Sequence, residues 1–285
     1  MTKLAFMSDL HIDLNAFTDF EIKTLINLLK EEKIDHLHIA GDISNHYHTI
    51  SLPFLETLQK HLPVTYHLGN HDMLDLTETE ISDLDFKIHK IEDTSFLAFH
   101  GWYDYSFYPQ KTKTQNLAFK ERFWFDRRLN RGQSDQSILE NTLDQLDHIL
   151  TQEPTLKFLT LHFVPHQNFL MTHPTFRPFN AFLGSQRFHD LFVRHQVSDV
   201  VFGHAHRSYG TQTIDGVRYH SRPLGYRREW DLTITYVNQH PQYNPTGTWN
   251  LSKRYNRIKH LPDFQTYYHQ HLKAEFQKSL TIINC

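Results

Sequence analysis

With 285 residues, the chain can bury one substantial core, so we expect one α/β domain with at most a small addition. Hydrophobic residues make up 39% and aromatic residues 14% of the chain, which excludes an intrinsically disordered protein. A formal net charge of -3 argues against nucleic acid as a partner, because non-specific binding to phosphates requires a basic surface.

The N-terminal residues and the single cysteine bear on the expected location of the protein and on its metal ligands. No apolar stretch is long enough to cross a bilayer, and the first residues, "MTKLAFMSDLH", do not match the regions of a signal peptide. We therefore expect a cytoplasmic protein with no membrane partner. The single cysteine, Cys285, excludes a disulfide framework and a thiolate metal site within one chain. Any metal must be held by nitrogen and oxygen ligands.

Short strands and helices alternate along the chain. Thr18 and Glu21 form a capping-box pattern before one periodic apolar set, and Ser137 and Glu140 form the same pattern before another. This alternation predicts right-handed crossovers and a largely parallel sheet with helices on its faces. Five apolar segments have the length and composition of strands, at residues 3–7, 36–40, 64–68, 157–161 and 199–202.

Polar side chains follow each of these strands directly. Any one of them alone is explained by a turn cap or by a hydrogen-bonded core histidine, but five coincidences favour a functional site. Because the carboxyl ends of strands in an open α/β sheet form a shared crevice, we expect the five positions to form one cluster. In chain order the residues are Asp9 and His11, then Asp42, then Asn70, His71 and Asp72, then His162, then His204 and His206.

These residue types together indicate metal chemistry. Carboxylates, imidazoles and an amide without cysteine suit Mn, Fe, Zn or Co. Two such ions, about 3.5 to 4 Å apart, can share a bridging carboxylate, lower the pKa of a bridging water and neutralise the charge of a phosphoryl group. The donor set therefore predicts a hydrolase with two divalent transition-metal ions as cofactors.

The order of these residues resembles the five-block signature of the calcineurin-like metallophosphoesterases, and "SRPLGY" at 221–226 is similar to the turn that often closes that fold. The resemblance implies a four-layer αββα sandwich of two mixed β-sheets flanked by helices. We expect the metallophosphoesterase domain at residues 1–240, with an aromatic and basic insert at about 101–132. Residues 241–285 are predicted to be an extension that ends in a helix and packs on the same domain.

The resemblance also implies a function for each site residue. It implies a first metal held by Asp9, His11 and His206. It implies a second metal held by Asn70, His162 and His204, with Asp42 between the two ions. His71 would lie beyond the metals as a proton donor to the leaving oxygen or a stabiliser of charge, so that Asn70 and His71 contact the substrate. Asp72 would orient His71 or cap the following turn.

The second block departs from the phosphoprotein phosphatases of the superfamily, which have an acid and then an Arg where this chain has Asn45 and His46. This favours a small-molecule or nucleotide phosphodiester as substrate, hydrolysed by attack of a metal-bridging hydroxide. A phosphomonoesterase, a nuclease of the same superfamily and a non-catalytic metal-binding scaffold are the alternatives. The insert at 101–132 is either a helix whose aromatics pack on the core or a lid that stacks on the substrate and brings Arg toward phosphate. The sequence implies no particular oligomeric state.

Overall fold

The computed structural model describes residues 2–285 of the chain. All five strands predicted from the sequence are present, two of them one residue shorter than expected. The ten strands are β1 (Lys3–Met7), β2 (His36–Ala40), β3 (Val64–His67), β4 (Lys87–Ile91), β5 (Thr94–Phe99), β6 (Phe158–Leu161), β7 (Asp199–Phe202), β8 (Gly210–Ile214), β9 (Val217–Ser221) and β10 (Thr281–Asn284).

The strands form two mixed sheets. The first has the order β10-β1-β2-β3, in which β1, β2 and β3 are parallel and β10 runs antiparallel to β1. The second has the order β4-β5-β6-β7-β9-β8, with four parallel central strands and an antiparallel strand at each edge. Antiparallel strands therefore occur only at edges of the sheets, and the single largely parallel sheet predicted from the alternating pattern is corrected to two mixed sheets.

Helices cover the outer face of each sheet, which gives the four layers that the resemblance implied. Apolar side chains of α1, α2, α7 and α9 pack on the first sheet, and those of α5 and α6 pack on the second. Within residues 2–285, no helix combines the length and apolarity needed to span a bilayer. The helices are α1 (Asp19–Glu31), α2 (Leu52–Gln59), α3 (Glu78–Leu84), α4 (Lys113–Phe123), α5 (Asp135–Gln152), α6 (Gln186–Arg194), α7 (Asp231–Gln239), α8 (Leu251–Ile258) and α9 (Pro262–Lys278).

One of the two predicted helix starts is correct. Thr18 and Glu21 form a reciprocal capping box at the beginning of α1. The prediction of a second cap at Ser137 is wrong by one turn, because the Ser134 hydroxyl accepts the Ser137 N–H at 3.2 Å and α5 begins at Asp135. Ser134 is therefore the N-cap residue in place of Ser137. Glu140 takes no part in capping and pairs with Arg187.

The C-terminal segment contains the expected helix, α9, but does not end with it. The strand β10 follows, and its residues pair with β1 from Thr281 opposite Phe6 to Asn284 opposite Lys3. A run of β-branched residues, "TII", favours a strand over a continued helix. The extension thus completes the first sheet.

Histidines of the first sheet lie in the interface between the sheets, among apolar rings. His38 packs against Phe6 and Phe96, with ring centroids 5.7 and 4.9 Å away, and its Nε2 is 2.9 Å from Nδ1 of His67. Burial lowers the pKa of His38 well below its ordinary value. Burial, together with the nearby His89, lowers the pKa of His36 to about 4. These imidazoles are therefore neutral in the folded protein at neutral pH.

We expect the metal-free protein to lose stability as the pH falls below about 6.5, the pKa of an unfolded histidine. Because the folded-state pKa values are lower, the unfolded chain binds more protons in this range. The free energy of unfolding then falls by up to about 1.4 kcal/mol per histidine for each pH unit. Urea unfolding between about pH 7.5 and 5, with EDTA present, measures the slope.

The variant His38→Phe is expected to flatten this slope, since a phenyl ring does not titrate and the neighbours of His38 are aromatic. The exposed His61 supplies the control, and His61→Gln should keep the wild-type slope. Identical slopes for wild type and His38→Phe would contradict the explanation.

Candidate metal centre

The carboxyl ends of β1, β2 and β3 in the first sheet meet those of β6 and β7 in the second. Among the described residues, two groups of side chains have ligand atoms within 4.8 Å of one another. The first group is Asp9, His11, Asp42 and His206, and the second is Asp42, His162 and His204. Asp42 belongs to both groups, so the geometry allows a carboxylate shared between two ions.

In the first group, four imidazole and carboxylate atoms converge. Nε2 of His11 lies 3.0 Å from Nε2 of His206 and 3.6 Å from Oδ2 of Asp42. Nε2 of His206 lies 3.2 Å from Oδ1 of Asp9. The four ligand atoms all lie within 4.8 Å of one another, so a single cation placed among them could bind all four.

The second group centres on His162. Its Nε2 lies 3.3 Å from Oδ2 of Asp42, 3.2 Å from Nδ1 of His204 and 3.2 Å from the amide oxygen Oδ1 of Asn70. Its Nδ1 lies 3.1 Å from the carbonyl oxygen of Ala40, which leaves Nε2 to face the group. Asn70 therefore lies with the second group, as the resemblance implied.

The chemistry of these donors fits divalent cations. Asp9 and Asp42 are 0% and 1% exposed, and within residues 2–285 no Lys or Arg pairs with either of them. A buried carboxylate is costly unless a cation or several hydrogen bonds compensate its charge. Nδ1 of His11 is buried without a hydrogen-bond partner in the described structure. Nitrogen and oxygen donors of this kind suit Mn, Fe, Zn or Co.

The backbone at the site is held in an uncommon conformation. Five of the seven predicted ligands have positive φ, a region that residues other than glycine rarely adopt. Local strain of this kind concentrates at functional sites, where surrounding contacts maintain it. The five residues and their φ values are Asp9 (57°), His11 (42°), Asp42 (58°), His204 (66°) and His206 (48°).

Two glycines let these loops approach one another. A Cβ atom on Gly69 would lie 2.1 Å from Oδ1 of Asp42, and one on Gly203 would lie 2.4 Å from Oδ2 of Asp9. Both distances are far inside van der Waals contact, so any side chain at either position would displace a carboxylate of the candidate centre.

Charges within the cluster shift its pKa values. Burial raises the pKa of Asp9, but the hydrogen bond and charge of His206 and the charge of His162 outweigh this and lower it to about 2. Burial also raises the pKa of Asp42, and the charges of His162 and His71 lower it well below its ordinary value. Both carboxylates are therefore ionised at neutral pH and available as metal ligands.

His71 lies beside the two groups rather than within them. Its Nδ1 is 2.9 Å from Oδ1 of Asn45, whose Nδ2 donates to Oδ2 of Asp13 at 2.8 Å. This network assigns the proton to Nδ1 and directs Nε2 toward the site, 4.0 Å from Oδ2 of Asp42. The ring stacks on Phe125 at a centroid distance of 3.6 Å. Asn45 thus takes the position expected of a partner acid.

Asp72 does not orient His71, which corrects the first alternative that the sequence offered. Its two carboxylate oxygens accept four backbone N–H groups of the loops after β2 and β3. Asp72 therefore fixes the loop that carries Asp42 relative to the loop that carries Asn70. The four donors are those of Asp42 (2.7 Å), Ile43 (2.9 Å), Ser44 (3.1 Å) and Gly69 (2.9 Å).

Sequence reasoning missed three residues that position the predicted ligands. Oδ1 of Asp126 accepts a hydrogen bond from Nδ2 of Asn70 at 2.7 Å, which turns the Asn70 oxygen toward His162. Oε2 of Glu229 lies 3.0 Å from Nδ1 of His206. The ring of Tyr226, in the turn "SRPLGY", stacks on His11 at 4.5 Å. The motif around Tyr226 was a usable signal, but Asp126 lies in the insert and follows no strand.

Different parts of the insert at 101–132 pack in the core and line the site. Trp102 and Tyr103 are fully buried in the core. Arg131 pairs with Glu78 at 2.5 Å, and Arg127 donates to the carbonyl oxygen of Trp124. The guanidinium groups of Arg122 and Arg128 lie over the rings of Phe123 and Phe125. Residues 123–125 of the insert line the site.

A cavity of about 680 Å³ opens beside the two groups. Two arginines that the sequence analysis did not select, Arg207 and Arg228, line it from the loops after β7 and β9. Its other lining residues include Asp42, Asn70, His71, His204, His206, Phe123, Trp124, Phe125, Met171, Phe176, Phe179 and Tyr226.

Comparisons with known proteins found one matching family model and solved structures that are similar to the chain. The family model for calcineurin-like phosphoesterases matches residues 2–208. The solved structure of a phosphopantetheinyl hydrolase from Mycobacterium tuberculosis is similar, with 20% identity, coverage of 80% of this chain and 91% of that chain, and a TM-score of 0.61. A purple acid phosphatase from yellow lupin is 13% identical, over 77% of this chain and 43% of that chain, with a TM-score of 0.41. No curated protein sequence matches the chain.

Proposed function

We propose that this chain, which belongs to the calcineurin-like phosphoesterase family, hydrolyses small-molecule phosphodiesters at a centre of two transition-metal ions. Family membership makes the chain a metal-dependent phosphoric ester hydrolase, and the donor groups support divalent metal cofactors. The number of ions, the residue assignments and the diester substrate are the proposal. The observation that carries it is the pair of donor groups that share Asp42 beside a large cavity.

The proposed ligands follow the two donor groups. Asp9, His11 and His206 hold the first ion, and Asn70, His162 and His204 hold the second, with Asp42 between them. Two ions bound there would activate a water and neutralise charge on a phosphoryl group. Asp126 and Glu229 orient Asn70 and His206 by the hydrogen bonds described above.

His71 supplies the proposed proton transfer. Its Nδ1–H is held by Asn45, and its Nε2 faces the cavity. With Nδ1 already protonated, a second proton on Nε2 makes the ring an imidazolium, and that proton can pass to the leaving oxygen of the ester, or the ring's charge can stabilise that oxygen as the bond breaks. Phe125 restricts the ring to this orientation by stacking on it.

The cavity supports a diester more strongly than the sequence did. The sequence argument for a diester was that this chain has His46 where related phosphatases have an Arg. That argument is weakened, because Arg207 and Arg228 bring positive charge to the cavity from other loops. A diester carries a second ester group that needs a surface to lie on, whereas a monoester does not. The apolar wall formed by residues 123–125 provides such a surface, so a diester uses more of the cavity.

The test compares kcat/KM for bis(p-nitrophenyl) phosphate and p-nitrophenyl phosphate at one pH with saturating Mn²⁺. We expect the diester to be the better substrate, by about tenfold or more if its second ring gains the 1 to 3 kcal/mol typical of stacking on an aromatic wall. A clear preference for the monoester would contradict the proposal and favour a phosphomonoesterase. A phosphopantetheinyl ester belongs in the same panel, since a structure of similar fold carries that name.

Two other functions receive less support. A nuclease of the same superfamily would need a positive channel, but the net charge is -3 and the cavity lining includes none of the insert's four arginines. A non-catalytic metal scaffold would be expected to lack some ligands or His71, and all of these positions are filled. A cytoplasmic location remains a prediction from the sequence.

A further inference from the structure

The cavity beside the donor groups is much larger than a phosphoryl group. Its volume of about 680 Å³ lies within the roughly 300 to 1,000 Å³ of pockets that enclose whole drug-sized ligands. Its lining runs from the buried Asp42 to Phe123, which is 50% exposed. A substrate bound at the donor groups therefore has room for a bulky substituent between the centre and solvent.

One wall of this cavity consists of aromatic rings from two separate segments. We call the rings of Phe123, Trp124, Phe125, Phe176 and Phe179 the aromatic wall. Trp124 joins the two segments, because its ring centroid lies 5.9 Å from that of Phe179. Flat aromatic faces favour planar rings over flexible alkyl chains, since stacking adds attraction to the burial of apolar area.

The aromatic wall is fixed to the proposed metal centre by three consecutive residues. The ring of Trp124 lies 5.8 Å from that of His204, and Phe125 stacks on His71. The buried carboxylate of Asp126 accepts a hydrogen bond from Nε1 of Trp124 at 2.8 Å and another from Nδ2 of Asn70 at 2.7 Å. The wall therefore keeps a constant position relative to a phosphoryl group at the centre, which reduces the ordering cost of binding.

Building on the proposed function, we propose that the aromatic wall is a subsite for a planar aromatic group on the ester oxygen that stays on phosphorus while the other ester bond is hydrolysed. This group lies against the aromatic wall while the phosphoryl group lies at the two donor groups. Aryl and nucleoside phosphodiesters are the substrate class that meets this requirement, and dialkyl phosphodiesters do not.

Two substrates with one leaving group isolate the effect of the subsite on catalysis. Bis(p-nitrophenyl) phosphate and methyl p-nitrophenyl phosphate both release p-nitrophenolate, but only the first leaves an aryl group on phosphorus. We expect a higher kcat/KM for the first. Phe179→Leu, which keeps an apolar side chain without a ring face, should lower kcat/KM for the aryl diester by about 2- to 10-fold and leave the methyl diester unchanged.

Phe179 also packs against Phe119, at 5.2 Å, and Phe123 packs against the same ring at 4.8 Å, so the second variant lies elsewhere on the wall. Phe176→Leu changes a ring that lines the cavity and is 38% exposed, and it is expected to act in the same direction. Phe20, 38% exposed on α1 and absent from the cavity lining, supplies the matched control, and Phe20→Leu should leave both substrates unchanged.

Binding of two stable anions separates this proposal from the proposed function. Diphenylphosphinate and dimethylphosphinate have no ester bond to hydrolyse, and calorimetry on the metal-loaded protein measures their affinity. We expect tighter binding of the diphenyl compound and loss of the difference in Phe179→Leu. If that holds while no diester is hydrolysed, the function is wrong and the subsite stands. Equal affinities, or an equal effect of Phe179→Leu and Phe20→Leu, would overturn the subsite even in an active diesterase.

Discussion

Asp42→Asn is expected to weaken metal binding at both proposed sites, whereas Asp9→Asn should weaken mainly one. The reason is that Oδ2 of Asp42 faces His11 at 3.6 Å and His162 at 3.3 Å, so one charged oxygen serves both donor groups. Removing a residue that only positions a metal ligand typically lowers metal affinity by about 10- to 100-fold. Removing a ligand shared by two ions should lower the affinity at each site by at least this factor.

The measurement is the metal-to-protein ratio after dialysis at a fixed free-metal concentration, together with calorimetric titration. The substitution Asp42→Asn is nearly isosteric. In the wild type the backbone N–H of His71 donates to Oδ1 of Asp42 at 2.9 Å, and the amide oxygen of the variant can still accept this hydrogen bond. Asp199→Asn is the matched control, because Asp199 is also a largely buried carboxylate but pairs with Arg218 and His220 far along the second sheet. Loss of a single ion in both Asp42→Asn and Asp9→Asn would show that Asp42 is not shared.

The sequence was sufficient to predict the convergence of the site because strand ends are a local signal. Asp9, Asp42 and His162 each lie within two residues of the end of a short apolar run, and the parallel strands bring such positions to one edge. The division of the strands into two sheets could not be predicted from any short segment of the sequence. It depends on the interface in which Phe6 packs on Phe96 and Phe158, residues separated by about ninety positions or more along the chain.

The residues that position the ligands were harder to predict for the same reason. Asp126 contacts Asn70 from a short helical turn in the insert, and no periodic pattern or motif marks it. Asn45 was seen only as a departure from a family pattern, but in three dimensions its amide oxygen replaces a carboxylate oxygen beside His71. Asp72, adjacent to His71 in sequence, was expected to act on it and instead binds backbone groups.

His71→Ala is expected to keep both ions and to lose about 10²- to 10⁴-fold in kcat, the usual range for removal of a positioned acid or base. The imidazole Nε2 of His71 is 4.0 Å from Oδ2 of Asp42, and His71 belongs to neither donor group. The metal-to-protein ratio of the variant should therefore equal that of wild type. His46→Ala is the control, because His46 is an exposed histidine in the same region of the chain as Asn45 and does not line the cavity.

The size of the loss should depend on the leaving group if Nε2 of His71 donates a proton. A p-nitrophenolate departs without protonation, whereas an unsubstituted phenolate benefits from it, so His71→Ala should impair diphenyl phosphate more than bis(p-nitrophenyl) phosphate. Equal losses on the two diesters would restrict His71 to stabilising charge on the phosphoryl group. Loss of metal in the variant would instead show that His71 is a metal ligand. The contacts of its ring with Asn45 and Phe125 would then orient it for metal binding rather than for proton transfer.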